Sequence, residues 1–354
     1  MLENSLSYAS AGVDIAEGER AVSLIKAAVA STVTPGVLSA IGGFGGLFEM
    51  PRDGFLDPVL VSSTDGVGTK AYVAALAKRY STIGVDLVAM CVDDIAVLGA
   101  TPLFILDYLS VGQLDSSMAA EIVTGIAKGA KECGTALLGG EMAEHPGSMP
   151  PGHFDLAGFV VGVAEKSKMW GSDRVRVGDA IVGIDSPNLR SNGFSLARRA
   201  LFGTRSDPGA QLIEHAELLD IGNGPGSNPG VSLFDELLEP SIVYSPVLGA
   251  LGKSFEIHAA AHVTGGGLRA NLARVLPEGT RASIYRGSWD VPTIFRLIQE
   301  RGSIADAEME QVFNMGVGMA LIVESGIAPA IINDLARFGR RGYLIGEIES
   351  ALSS

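Results

Sequence analysis

Two apolar periods alternate along this chain, one of about two residues and one of about 3.6. Short apolar runs predict buried strands at Val59–Ser62, Leu103–Tyr108, Thr135–Leu138 and Ala157–Ala164. Between them, apolar residues recur at helical spacing over Gly18–Ser31, Thr82–Gly99 and Ser116–Cys133. The stretch Lys166 to Gly178 is polar, charged and without period, so it marks a domain boundary near residues 170 and 171. A second alternating region follows. Its strands are Asp179–Asp185, Ile257–Val263 and Val317–Val323. Its helices are Phe194–Leu201, Leu268–Leu276, Thr293–Glu300 and Ala328–Phe338. The pattern predicts an α/β protein of two domains, 1–170 and 171–354. Gly222 to Gly230 is made of Gly, Asn, Pro and Ser only, and reads as an exposed insertion or, less simply, a lid.

Composition narrows the function classes. The chain has 354 residues, enough for two cores, and is 47% hydrophobic with 19% charged residues. A formal net charge of −14 argues against a nucleic-acid partner and against attraction to an anionic membrane. An anionic ligand therefore needs local cations, helix N-termini or a bound metal. Cys91 and Cys133 are the only cysteines, and both sit in helical patterns as small buried side chains. Met1 to Arg20 lacks the apolar core of a signal peptide, and no apolar run approaches the roughly 20 residues of a membrane span. A reduced, cytoplasmic protein is expected.

Candidate chemistry begins at Ser63-Thr64-Asp65-Gly66-Val67-Gly68-Thr69-Lys70, which follows the first strand. An acid at a strand exit, two glycines and a lysine suit a loop that holds a metal–phosphate complex. A solvated turn is the plainer reading of the same residues. In the helix 82–99, Leu87, Cys91, Asp94 and Leu98 share one face, which places Asp94 in an otherwise apolar stripe. A carboxylate there needs a metal, a partner or a proton. Asp93 lies about 100° around the same helix. Glu141, behind Gly139-Gly140, repeats the acid-at-strand-exit pattern, so Asp65, Asp93, Asp94 and Glu141 form a candidate oxygen shell for Mg²⁺.

Gly42-Gly43-Phe44-Gly45-Gly46 reads as a flexible loop able to close over phosphates. The dinucleotide fingerprint does not fit it, because neither the preceding strand nor the following helix is present. His262-Val263-Thr264-Gly265-Gly266-Gly267 joins a strand to a helix, as an anion-binding turn would. Ser191-Asn192-Gly193 precedes a helix in the same manner and suits a second phosphate or a sugar hydroxyl.

Together these residues resemble the phosphoribosylformylglycinamidine cyclo-ligase family, the aminoimidazole ribonucleotide (AIR) synthetases. The likeness runs in order along almost the whole chain. It starts at Ser7-Tyr8, Ala11-Gly12-Val13-Asp14-Ile15 and Ile41 to Phe44, then continues through Thr64 to Lys70 and Asp94 with Gly99-Ala100-Thr101-Pro102. Gly139 to Glu144, Ser191 to Gly193, His262 to Gly267 and Phe313 to Met319 complete it.

The resemblance implies two α/β domains with mixed sheets and a homodimer whose N-terminal sheets pair into a barrel-like interface. It implies ATP and Mg²⁺ on the N-terminal domain, formylglycinamidine ribonucleotide on the C-terminal one, and closure of the imidazole ring. Asp65, Asp94 and Glu141 would hold Mg²⁺ with Asp93 in support. Lys70 would meet ATP phosphates, with Gly42, Gly43, Phe44, Gly45, Gly66, Gly68, Thr69 and Gly99 around the nucleotide. Arg190, Ser191, Asn192, Gly193, Thr264, Gly265, Gly266 and Gly267 would hold the substrate, and His262 would carry a proton or touch phosphate. Arg190 stands where the family usually has His, and Ser245 where a basic residue is common. A superfamily phosphotransferase such as thiamine-monophosphate kinase, and a catalytically impaired ATP-binding paralogue, are the competing readings.

Overall fold

The computed structural model describes residues 8–202 and 232–351. Ser7 and the 222–230 segment lie outside the described residues. Two sheets organise the chain. The first contains β1 (Pro58–Gly66), β2 (Thr101–Val111), β3 (Ala136–Glu144) and β4 (Phe154–Glu165) in the order β1-β4-β2-β3. β4 runs antiparallel to β1 and β2, whereas β2 and β3 are parallel and joined by helix α4 (Ser116–Glu132). Parallel neighbours require such a crossover. Asp115 starts α4 by accepting the N–H groups of Ser117 and Met118.

The second sheet contains β5 (Ala180–Asp185), β6 (Ala259–His262), β7 (Thr280–Ile284), β8 (Val317–Val323) and β9 (Gly342–Ser350), in the order β6-β8-β5-β9-β7 and antiparallel throughout. All seven residues of β8 are buried, which explains its unbroken apolar run.

Besides α4, the described helices named here are α1 (Ile15–Ala30), α2 (Lys70–Ala77), α3 (Ile83–Ala96) and α5 (Phe194–Phe202). Helix α3 is the spine of the molecule. It is buried along nearly its whole length, because the first sheet covers one side and the second half of the chain another. One continuous apolar core runs from Val61, Leu87, Cys91 and Val160 through to Leu189, Phe194, Leu233 and Phe295. Helices α3 and α4 touch backbone to backbone at Gly84, where a Cβ would collide with Ile122 O and the amide of Ile126.

The outer face of the first sheet is different. Thr64, Phe159 and Leu106 form one cross-strand row on it, and Gly66, Ala157 and Tyr108 the next. Leu60, Phe159 and Tyr108 remain 64%, 42% and 41% exposed there. Such an apolar sheet face is uncommon on a surface that meets only water.

Several boundaries differ from the sequence pattern for one physical reason: ladder partners extend strands past their apolar residues. β1 runs on to Gly66 because Asp65 pairs with Gly158, and β3 runs to Glu144 because Glu141 pairs with Tyr108. Asp65 and Glu141 are thus strand residues rather than loop residues beyond the strand ends. Lys70 likewise opens α2 instead of closing a loop. No helix of the described residues is long and apolar enough to cross a membrane.

Candidate active site

Helix α3 delivers Asp94 to the junction of the two halves, where it meets β6. Asp94 Oδ1 lies 2.8 Å from His262 Nδ1, and Asp94 Oδ2 accepts the Ser63 hydroxyl at 3.0 Å. Burial alone would raise this carboxyl, but the hydrogen bonds from His262 and Ser63 outweigh it and hold it below the usual range. A carboxylate only accepts, so Nδ1 of His262 is the donor in this contact. The Nε2 of the same ring is buried and has no hydrogen-bond partner among the described residues. Asp65 is beside this pair, its Oδ1 accepting the Gly66 N–H at 2.7 Å. Burial raises the Asp65 carboxyl and the charge of Asp94 adds to the rise. Asp65 and Asp94 are thus the two carboxylates of the junction that could face a cation.

Three turns close around these groups. Gly68, at φ 54°, brings the end of the β1 turn toward the Ser191 carbonyl, and Thr69 Oγ1 lies 3.0 Å from Ser195 Oγ. The side-chain oxygen of Asn192 accepts the Gly265 N–H at 3.2 Å, joining the Ser191–Gly193 turn to the Thr264–Gly267 turn. Asn271 braces that second turn by donating to the carbonyls of Thr264, Gly265 and Gly267. Gly267 admits no side chain, because a Cβ would overlap the Glu310 carbonyl. The Ser191 hydroxyl is buried and has no hydrogen-bond partner among the described residues. Together with His262 Nε2 it gives the junction two buried polar atoms that could bond a ligand.

Of the expected site residues, Asp65, Gly66, Gly68, Thr69, Asp94, Ser191, Asn192, Gly193, His262 and Thr264 to Gly267 converge here. The others do not, and five expectations are corrected. Lys70 is fully enclosed, paired with Asp86 Oδ2 at 2.7 Å and donating to the Glu239 carbonyl at 2.9 Å. It meets a carboxylate of its own chain instead of a phosphate. Burial pushes its pKa down, with Asp86 opposing. Arg190 is equally enclosed: its Nη2 donates to Asp93 Oδ2 at 2.6 Å, so it presents no charge to a substrate phosphate.

Asp93 in turn spends its other oxygen on the N–H groups of Tyr244 and Ser245, both at 2.9 Å, and is sealed from solvent, so unlike the partly exposed Asp94 it does not face the site. Gly99, at φ 77°, follows the end of α3 and packs against Trp170 and Lys168 instead of lining the junction.

Glu141 lies three strands from Asp65, roughly 14 Å at ordinary sheet spacing, and on the opposite pleat. It cannot share one ion with Asp65 within a chain. Glu141 instead lines a cleft of about 900 Å³ together with Gly42, Gly43, Phe44 and Gly45. Among the described residues, no three or more His, Cys, Asp or Glu side chains gather to hold a metal ion. Asp65 and Asp94 are therefore a pair and not part of a four-acid cage.

Two participants went unnoticed in the sequence. Ser63 lay inside the octapeptide without an assigned role. Asp107 lies in β2 at the cleft wall with protein on most sides, and burial pushes its carboxyl up to about 7. An acid inside an apolar strand was the available signal for it. Gly140 makes the room, since a Cβ there would strike the Asp107 carboxylate.

Residues 54–164 match the AIR synthase related protein N-terminal domain, and residues 176–352 its C-terminal domain. The chain is 47% identical over 344 residues to the phosphoribosylformylglycinamidine cyclo-ligase of Trichlorobacter lovleyi, covering 97% of this chain and 95% of that one. With the enzyme of the same name from Geobacillus sp. strain WCH70 the identity is 46% at the same coverage.

Among solved structures, thiamine-monophosphate kinase from Stenotrophomonas maltophilia K279a superposes with a TM-score of 0.60 at 20% identity, over 92% of this chain and 93% of that one. Hydrogenase maturation protein HypE in complex with ATP gives 0.63 at 16%, over 94% and 86%. These two share the fold. The sequence relatives reach further: the chain belongs to the AIR synthase related family, alongside the phosphoribosylformylglycinamidine cyclo-ligases.

Proposed function

We propose that this protein closes the imidazole ring of 5-aminoimidazole ribonucleotide, consuming formylglycinamidine ribonucleotide and ATP and releasing ADP and phosphate. The relatives that share close to half of its residues over nearly its whole length carry that name. The observation that carries the reading is the Asp94–His262 pair, held between two braced turns with a free nitrogen facing inward.

The chemistry asks for three things. The formyl amide oxygen is a poor leaving group, so ATP phosphorylates it first and an iminophosphate results. The amidine nitrogen then attacks the same carbon within the molecule, and phosphate departs. Positioning and charge neutralisation supply most of the rate in such a transfer. Asp65 and Asp94 are the pair that would hold a magnesium ion on the triphosphate, which neutralises charge developing on its oxygens. The turns Ser191–Gly193 and Thr264–Gly267 hold the ribonucleotide, with the Ser191 hydroxyl and backbone N–H groups toward its phosphate. His262 Nε2 accepts the proton that the amidine nitrogen loses as the ring closes, while Asp94 keeps the imidazole in the right tautomer.

Gly42 to Gly45 and Glu141 are assigned to the nucleotide through the 900 Å³ cleft, a volume in the ordinary range for such ligands. The protein acts as a homodimer joined through the apolar outer face of its first sheet, where Leu60, Phe159 and Tyr108 stand exposed.

A phosphotransferase of the thiamine-monophosphate kinase type is disfavoured, since its representative shares 20% identity against 47% for the cyclo-ligase. An impaired paralogue is disfavoured as well: Arg190, the residue that suggested it, is enclosed in an ion pair with Asp93, while the Asp94–His262 pair is intact. Asp94→Asn tests the assignment. It should lower AIR formation by about 10²-fold or more, with a cooperative melt like that of the parent protein. Activity within about threefold of the parent would remove Asp94 from the mechanism.

A further inference from the structure

We propose that the buried Asp93–Arg190 pair is a positioning element that fixes the two halves of the junction in register. The proposal rests on the junction being the substrate site. Each member of the pair is the chain neighbour of a site residue. Asp93 precedes Asp94 on α3, and Arg190 precedes Ser191 and Asn192 on the substrate turn. The ion pair joins those two backbones directly, across 97 residues of sequence.

The pair reaches further than its own two segments. Arg190 Nη2 also donates to the Ile242 carbonyl at 3.0 Å, Nη1 reaches the Gly318 carbonyl at 3.4 Å, and the guanidinium lies 4.7 Å from the centre of the Tyr244 ring. Asp93 Oδ1 takes the N–H groups of Tyr244 and Ser245 at the start of the helix Ser245–Ser254. Four segments thus meet around one guanidinium–carboxylate contact: α3, the 190–193 turn, the 242–245 entry and β8. Both side chains are fully shielded from solvent, so neither charge can relax into water if the other moves.

The backbone of Arg190 shows the same tight specification. It sits in the left-handed region at φ 59°, unusual for a side chain of this size. Asn188 holds it there by accepting the Arg190 N–H at 2.9 Å, and Asn314 Nδ2 in turn donates to the Asn188 carbonyl at 2.9 Å. The turn that follows carries the unpartnered Ser191 hydroxyl and the Asn192 contact to Gly265. A shift of Arg190 would therefore be felt at Asn192 and at the Thr264–Gly267 turn. Arg190 uses two nitrogens, Nη2 for Asp93 and the Ile242 carbonyl and Nη1 for the Gly318 carbonyl, so Lys, with a single nitrogen, is not an equivalent here.

The test uses two variants of the full-length chain. Arg190→Lys keeps the charge and loses the fork. The double variant Asp93→Asn with Arg190→Gln removes both charges and leaves no buried ion unpaired. Hydrogen–deuterium exchange of the ligand-free protein is followed in peptides covering 188–194 and 262–268, with 101–111 in β2 as the control. Steady-state constants for formylglycinamidine ribonucleotide and for ATP are measured beside it.

The expected result is a folded protein in which both junction peptides exchange at least about fivefold faster and the control is unchanged. The KM for the ribonucleotide should rise about tenfold, while that for ATP stays within about twofold. Parental exchange and a parental ribonucleotide KM in a folded double variant would overturn the proposal. Failure of both variants to fold would overturn it too, by making the pair a requirement of folding alone. If the parent protein forms no AIR, the functional reading fails, and the exchange arm still decides whether the pair sets the register.

Discussion

At the scale of single residues, the junction separates adjacent carboxylates into different tasks. Asp93 and Asp94 are neighbours on α3, yet one is enclosed by Arg190 and two backbone amides while the other faces His262 and the site. Environment rather than residue type decides which carboxylate is available. Asp107 extends the argument to pH. Burial pushes its carboxyl up to about 7, against about 3.9 in the unfolded chain. Between those values the folded protein holds a proton that the unfolded chain has released, so stability falls as pH rises from about 4 to about 7.

Asp107→Asn should therefore melt higher than the parent at pH 8, with the difference closing toward pH 4. An equal difference at both pH values would contradict it. The site residues that sequence made legible, Asp94 and His262, are those marked by an acid in an apolar helix stripe and by a histidine beside a glycine turn. Lys70 and Arg190 were misread because their partners, Asp86 and Asp93, arrive through tertiary packing that no local pattern announces.

At the scale of elements, α3 acts as a two-pin connector. Asp86 and Asp93 lie seven residues apart, nearly two turns, and so point to one side of the helix. Asp93 engages the 242–245 segment through Arg190, Tyr244 and Ser245. Asp86 engages Lys70 on α2 and both the N–H and hydroxyl of Ser241, at 2.8 and 2.5 Å. Removing one partner of such a pair strands the other charge. Lys70→Ala is thus expected to destabilise the protein by about 3–5 kcal/mol, read from the denaturation midpoint. A fully stable variant with only a raised KM for ATP would restore Lys70 to the phosphate role.

The long periodic elements were legible from the chain, and β8 falls on the residues its apolar run indicates. β7, β9, α2 and the helix Ser245–Ser254 were not. β9 carries Gly342, Gly346, Glu347 and Ser350 and is only half buried, so its apolar signal is weak although its neighbours β5 and β7 fix it firmly. α2 was hidden by the glycine turn that introduces it, which reads as continuing loop.

At the scale of the whole molecule, the site exists only because two halves of the chain share a core. The first sheet supplies Asp65 and Ser63, α3 supplies Asp94, and the second half supplies His262 and both ligand turns. The apolar outer face of the first sheet carries the expectation of a second copy. Phe159→Asp should shift the protein from dimer to monomer in sedimentation velocity, while an unchanged sedimentation coefficient would remove that face from the interface.

The central claim is ring closure at the domain junction, and the most direct measurement supplies purified protein with formylglycinamidine ribonucleotide, ATP and Mg²⁺ and quantifies both products. The account predicts AIR and ADP in equal amounts, with neither formed when the ribonucleotide is omitted. ADP without AIR, or no turnover at all, would contradict it.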